Sequence, residues 1–129
     1  MSAIPPGYED LLTRPLFGHL ATVRPDGDPA VTPMWFSWDG ELLRFTHTTR
    51  RAKLRNIEHN PHVALSVLDP EEPYRYLQVR GTVEDVKPDP TGAFYVELAT
   101  RYGRQRPSAP RDAPDRVIIS VRPFAYSKQ

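Results

Sequence analysis

The residues best suited to chemistry lie in one run, Phe45-Thr46-His47-Thr48-Thr49-Arg50-Arg51-Ala52-Lys53-Leu54-Arg55-Asn56. A strand-like stretch ends, three hydroxyls appear, and a helix-like stretch begins with four cations in its first six residues. Unpaired N–H groups and the positive end of the macrodipole gather at a helix start, so cations there are unfavourable unless an anion joins them. Leu54 and Ile57 make the narrow apolar stripe of this helix. At about 100° per residue, Arg51 and Lys53 fall on either flank of that stripe and both reach the first turn. Hydroxyls, backbone N–H groups and charged donors together are the chemistry of a phosphate site. The same residues also describe a solvated basic face paired with Glu58 or Asp69.

Two further stretches carry candidate binding groups. In Thr32-Pro33-Met34-Trp35-Phe36, a proline interrupts strand pairing among large flat side chains, a setting for an aromatic ring lying against backbone; Trp35 and Phe36 equally suit a core or an interface. In Tyr74-Arg75-Tyr76-Leu77-Gln78-Val79-Arg80-Gly81, strand alternation puts Arg75, Leu77 and Val79 on one face and Tyr76, Gln78 and Arg80 on the other, where Gln78 could bond a ring edge or simply face solvent. The four histidines, His19, His47, His59 and His62, show no metal-ligand spacing, since Asn60-Pro61 separates the last two. There is no glycine-rich phosphate loop, no Gly-x-Ser-x-Gly and no cysteine, so any reaction here depends on a cofactor.

The elements that position these groups alternate between strand and turn signals. Tyr8 to Thr13 reads as a short helix stopped by Pro15, and residues 16–23 as a strand. After the Pro25-Asp26-Gly27-Asp28 turn, residues 30–38 read as a second strand, Asp39-Gly40 as a hairpin turn, and residues 41–46 as a third. Thr48-Thr49 can cap a helix over 50–59, which Asn60-Pro61 ends. Strands follow over 62–68 and 74–86, with Gly81 at a bulge. Thr91 can cap a helix from Gly92 to Tyr102, Gly103 stops it, residues 104–115 form a proline- and arginine-rich surface loop, and 116–122 is the last strand. The pattern predicts a mainly β protein, a closed or nearly closed β-barrel with two or three short peripheral helices.

The 129 residues fit one domain, and the apolar fraction of 39% together with seven glycines suits a folded core. A net charge of +1 argues against a general nucleic-acid binder, although arginine outnumbers lysine 14 to three. The absence of cysteine excludes disulfides and thiolate chemistry. No apolar stretch is long enough to span a bilayer, and Met1-Ser2-Ala3-Ile4-Pro5-Pro6 has no secretory character, so a cytoplasmic location is expected.

The order of motifs resembles a known family. Leu20-Ala21-Thr22-Val23-Arg24-Pro25-Asp26-Gly27, Pro33-Met34-Trp35-Phe36, Thr48-Thr49-Arg50-Arg51-Ala52-Lys53-Leu54-Arg55-Asn56-Ile57, Asn60-Pro61 and Gln78-Val79-Arg80-Gly81 are similar, over residues 8–126, to the pyridoxamine 5′-phosphate oxidase-like, FMN-binding split β-barrel superfamily. Within it the chain looks most like the small actinobacterial deazaflavin-dependent oxidoreductases that use coenzyme F420. The resemblance implies six or seven antiparallel strands in a single split-barrel domain over residues 1–129, and a homodimer with cofactor sites at the subunit interface. It implies that Arg51, Ala52 and Lys53, with Thr48, Thr49 and Arg50 beside them, hold the cofactor phosphate. Thr32, Pro33, Met34, Trp35 and Phe36 would line its ring, and Gln78, Val79 and Arg80 would approach the ring edge or the tail. His47 and Tyr76 are candidate proton donors. The arginines of the 104–111 loop, Arg24 and Arg80 are candidates for the acidic tail of F420. The implied reaction is hydride transfer from reduced F420 to an electron-poor acceptor such as an enone, a quinone or a tetrapyrrole-like molecule. An FMN-dependent oxidoreductase and a non-catalytic F420-binding protein are the alternatives. Pyridoxamine phosphate oxidases proper carry a C-terminal segment bearing arginine and histidine; the ending Arg122-Pro123-Phe124-Ala125-Tyr126-Ser127-Lys128-Gln129 does not match it, which speaks against vitamin-oxidase activity.

Overall fold

A computed structural model describes residues 3–129; Met1 and Ser2, part of the leader reading above, lie outside the described residues. In chain order the elements are α1 (Asp10–Thr13), β1 (Gly18–Val23), β2 (Pro29–Met34), β3 (Ser37–Trp38), β4 (Leu43–Thr48), α2 (Ala52–His59), β5 (His62–Asp69), β6 (Glu72–Pro88), α3 (Ala93–Arg101), a 3-10 turn (Ala113–Asp115) and β7 (Arg116–Lys128). The strands make one seven-stranded sheet in the order β2-β1-β5-β6-β7-β4-β3, and every pairing is antiparallel. β2 and β3 stand at opposite ends of that order, yet only Trp35 and Phe36 separate them in the chain. The sheet must therefore curl until its two edges adjoin, and this closes the barrel without a ladder between them. Apolar residues from alternate positions of the long strands fill the interior, with Phe36, Phe45, Leu65, Leu77, Val79 and Ile119 all but inaccessible to water.

The continuous strand expected over 30–38 is thus two strands that join different neighbours. The break is held by side chains: the Phe36 N–H donates to the Tyr102 hydroxyl at 3.1 Å, and Arg101 Nε donates to the Phe36 carbonyl at 3.0 Å. Pro33 lies on β2, a strand paired on one side only, where a missing donor disturbs a single ladder. The Asp39-Gly40 turn forms as expected, with Asp39 Oδ1 accepting from the N–H groups of Glu41 (2.8 Å) and Leu42 (2.7 Å). These bonds, with the Arg44 guanidinium beside them, hold the Asp39 carboxyl down at about 2.

Other boundaries differ for local reasons. α2 starts at Ala52, not Arg50, because Arg51 keeps an extended backbone; no side chain caps it, and Thr48 Oγ1 accepts from the Arg50 N–H instead. α3 is capped by Asp89, whose Oδ2 accepts the Phe94 N–H at 2.9 Å, and not by Thr91; Gly92 takes the left-handed turn between them. β7 continues past residue 122 to Lys128 because β6 offers a partner that far, Leu77 opposite Lys128. The register shifts at Arg80/Gly81, where Gly81 faces Pro123 and Arg80 faces Ala125, so Phe124 is the extra residue of a bulge.

Candidate functional site

A cleft of about 910 Å³ opens where β1, β2, β4 and α2 converge. Its size lies near the top of the roughly 300–1,000 Å³ typical of small-molecule sites. Thr32, Pro33, Met34 and Trp35 line one side; His47, Thr48, Arg51, Ala52 and Lys53 line the other. The barrel closure brings these two sides together, since β2 and β4 belong to opposite halves of the sheet.

The helix is anchored before its cations are placed. Asn56, buried beside Leu54 and Ile57, donates from Nδ2 to the buried Thr22 Oγ1 at 3.1 Å, tying α2 to β1. Lys53 is then half-buried and spans the cleft, donating to Thr32 Oγ1 and, at 3.3 Å, to Met34 Sδ. Burial, and the nearby Arg51 charge, push its pKa down. Arg51, Lys53 and Arg55 have no ion-pair partner among the described residues. Glu58 forms none either, and Asp69 pairs with Arg14 and Arg75 across the molecule. The first turn of α2 is therefore cationic, without a side-chain cap, and without acidic compensation.

His47 is the most constrained of the cleft's polar groups. It lies on β4, is 8% exposed, and its Nε2 is buried with no hydrogen-bond partner. Burial first, then Lys53, Arg116 and Arg51, lower its pKa to about 4; Asp112 acts weakly the other way. The imidazole is neutral at pH 7 and carries no imidazolium proton to donate.

Several sequence candidates fall outside the cleft. Phe36 is buried in the core against Phe45, their ring centroids 6.3 Å apart. Thr49 faces solvent and Arg50 pairs with Asp115 at 2.6 Å. Val79 is a core residue of β6, and Gln78, Arg80 and Tyr76 share that strand without lining the cleft. Arg24 lines the cleft, whereas the arginines of the 104–111 loop do not. Sequence reasoning missed Phe17 and Arg116 among the lining residues, and it placed Arg55 and Asn56 in the candidate run without giving either a binding role. It also missed Tyr102, whose ring stacks on Trp35 (5.3 Å, 16°) and on Phe17 (5.9 Å, 30°). The polar Asn56 on an otherwise apolar helix face was the one available signal.

The site has two unlike ends, one cationic and one aromatic. Such a cleft suits a molecule that combines an anionic group with a flat ring. A phosphate-bearing ring cofactor fits it on three counts: the uncapped helix start, the uncompensated Arg51 and Lys53, and the orphaned Nε2 of His47.

Among the described residues, no helix is long and apolar enough to cross a membrane, and no group of three or more His, Asp or Glu is placed to hold a metal ion. No curated protein matches the chain. Among solved structures, an F420 reductase is 67% identical, covers 98% of this chain and 100% of its own, and superposes with a TM-score of 0.95. A conserved hypothetical protein from Mycobacterium tuberculosis (20% identity, 98% and 84% coverage, TM-score 0.77) and general stress protein 26 from Bacillus anthracis (22%, 93% and 88%, 0.71) share the fold. A family model described as pyridoxamine 5′-phosphate oxidase matches residues 4–129. With that match across nearly its whole length and a seven-stranded split barrel to go with it, the chain belongs to the pyridoxamine 5′-phosphate oxidase family.

Proposed function

We propose that this protein is an F420-dependent reductase that works as a homodimer and passes a hydride to an electron-poor organic acceptor. One observation carries the reading: Arg51 and Lys53, without acidic partners, share a cleft with the Pro33–Trp35 wall in a chain 67% identical to an F420 reductase. Arg51, Lys53, Thr48 and the free N–H groups at the start of α2 would hold the cofactor phosphate. Thr32 to Trp35 would lie along the ring. Arg24 and Arg55, in the same cleft, are the cations available to an acidic tail. Val31, Tyr74 and Phe124 are large apolar side chains left in water at 63%, 84% and 45% exposure, and burying them would favour the dimer.

When bound, reduced F420 supplies a hydride, and the acceptor gains its second hydrogen as a proton from water. The side chains of this protein provide position and environment. Pro33, with no N–H to offer, and Met34 would present an apolar surface along the ring. Lys53 and Arg51 fix the anionic end, so the ring cannot slide along the cleft. His47, neutral at pH 7, can donate or accept one hydrogen bond and does not serve as an imidazolium acid.

Titration of cofactor-free protein with F420 and with FMN, followed by fluorescence, tests the reading. The expected result is tight F420 binding and weaker FMN binding. Tighter FMN binding and a yellow purified protein would replace this reading with a flavin-dependent enzyme on the same fold. F420 binding with no turnover across enones and quinones would leave a binding protein.

A further inference from the structure

We propose that Met34 is an oxidation site: hydrogen peroxide converts its thioether to the sulfoxide, the sulfoxide oxygen captures the Lys53 ammonium, and the cleft thereby loses affinity for its anionic ligand. The inference rests on the reading of Lys53 as a phosphate-binding cation and deepens it by assigning a control on that same cation.

The contact between the two side chains is already made in the native protein. Lys53 Nζ donates to Met34 Sδ at 3.3 Å and to Thr32 Oγ1. Thr32 and Met34 are two apart on β2, so both side chains leave the same face of the strand. β2 is an edge strand, paired only with β1, and Met34 is partly buried at its end and lines the cleft. The sulfur is thus within reach of a molecule as small as peroxide, and its oxidised form stays within reach of Lys53. With no cysteine among the 129 residues, no thiol takes the oxidant first. The one other methionine, Met1, lies outside the described residues.

In the reaction the sulfur gives an electron pair to one peroxide oxygen and the O–O bond breaks. The proton on the transferred oxygen passes to the departing hydroxide, which leaves as water, so sulfur is oxidised and peroxide reduced by one electron pair. A thioether is a weak acceptor, whereas a sulfoxide oxygen is strongly polar. Lys53 is poorly satisfied as it stands: burial and the Arg51 charge lower its pKa, and its partners are a hydroxyl and a thioether. A sulfoxide beside it relieves that deficit before any anion arrives, and an anion then gains less from Lys53. The same oxygen puts a dipole into the apolar surface between Pro33 and Trp35. Arg51 keeps its charge, so the site is weakened and not abolished.

The test treats cofactor-free protein with hydrogen peroxide and locates the added oxygen by tandem mass spectrometry. Met34 should gain one oxygen, and F420 bound beforehand should slow that gain. The F420 Kd should rise about ten-fold, the low end of what a charged hydrogen bond contributes. Methionine sulfoxide reductases A and B together should restore it, which they cannot do for an oxidised tryptophan or tyrosine. Met34→Leu, whatever its own Kd, should show the same Kd before and after peroxide. Acylation by acetic anhydride reads Lys53 without any cofactor. Measured against Lys87 and Lys128, Lys53 should react several-fold more slowly after oxidation, because a bonded ammonium gives up its proton less readily. The proposal is overturned if Met34 survives peroxide that oxidises free methionine, if the sulfoxide form keeps its Kd, or if treated Met34→Leu loses as much affinity. A sulfoxide form with a markedly lower Tm also overturns it, since affinity is then lost through the fold. Failure of the untreated protein to bind F420 would sink the reductase reading, whereas Lys53 acylation judges the Met34–Lys53 contact separately.

Discussion

Replacing Lys53 with Met separates what the site does for a ligand from what it does for the fold. Met keeps an unbranched apolar stem and removes the ammonium. In the free protein that ammonium is half-buried, is repelled by Arg51, and bonds only a hydroxyl and a thioether. Its loss removes a desolvated like-charge contact, a gain of about 0.5 kcal/mol on the scale of neighbouring like charges. For a chain of this length that corresponds to a rise of about 2 °C in Tm. With a phosphate-bearing ligand the balance reverses, since a charged hydrogen bond contributes about 1.5–3 kcal/mol. F420 affinity should fall by roughly 10- to 150-fold. The His47 imidazole supplies an internal check. Lys53 is the largest charge holding its pKa down, so that pKa should climb from about 4 in the variant, as read by NMR titration. Fluorescence titration and thermal melts of Lys53→Met, Arg51→Met and the double variant complete the experiment. Both cations serve one anion, so the losses should be non-additive, with a coupling of about 0.5–3 kcal/mol. A lower Tm with unchanged F420 affinity would show that Lys53 holds the fold together and that the phosphate site is misassigned.

His47 makes stability depend on pH. Its folded pKa of about 4 lies below the unfolded value, so the unfolded chain binds more protons in between, and stability should drop by about 2–4 kcal/mol as pH falls from 6.5 to 4. Urea unfolding at pH 7 and pH 5 should show this slope in the wild type and its loss in His47→Gln; equal slopes would count against it. Asn56→Ala leaves the buried Thr22 hydroxyl without its partner and should cost about 1–3 kcal/mol in denaturant unfolding, an assignment that a cost under about 0.5 kcal/mol would refute. Gly81→Ala puts a methyl 2.6 Å from Val121 Cγ1 and 2.9 Å from the Arg122 carbonyl, so about 1–3 kcal/mol of stability should go while F420 affinity holds; a neutral variant would mean that the bulge yields freely.

The cationic half of the site was legible because it is local. Thr48, Arg51, Ala52 and Lys53 fall within six consecutive residues, so the strand end and the helix start that carry them adjoin in the chain. The strands were legible for the same reason, since alternation and turn residues act over a few positions. The ladder partner of β7 beyond residue 122 was not, because its pairing is set by how far β6 runs. The split of residues 30–38 into two strands was hidden too. No glycine, asparagine or aspartate marks the break, and what holds the chain there is Arg101 and Tyr102, more than sixty residues away. Phe36 was misplaced for that reason: the bend turns it into the core and leaves Trp35 on the cleft.

The aromatic half left only Trp35 as a local trace. Phe17 precedes the first strand, Trp35 sits at the corner between two edge strands, and Tyr102 follows the last helix turn, so only barrel closure makes them neighbours. The two halves also differ in what they cost the empty protein. The cations oppose the helix dipole and one another, which is a standing penalty relieved when an anion arrives. The aromatic end is already braced through the Tyr102 hydroxyl and Arg101. A ligand that engages both ends thus gains relief of repulsion at one and burial against a braced surface at the other.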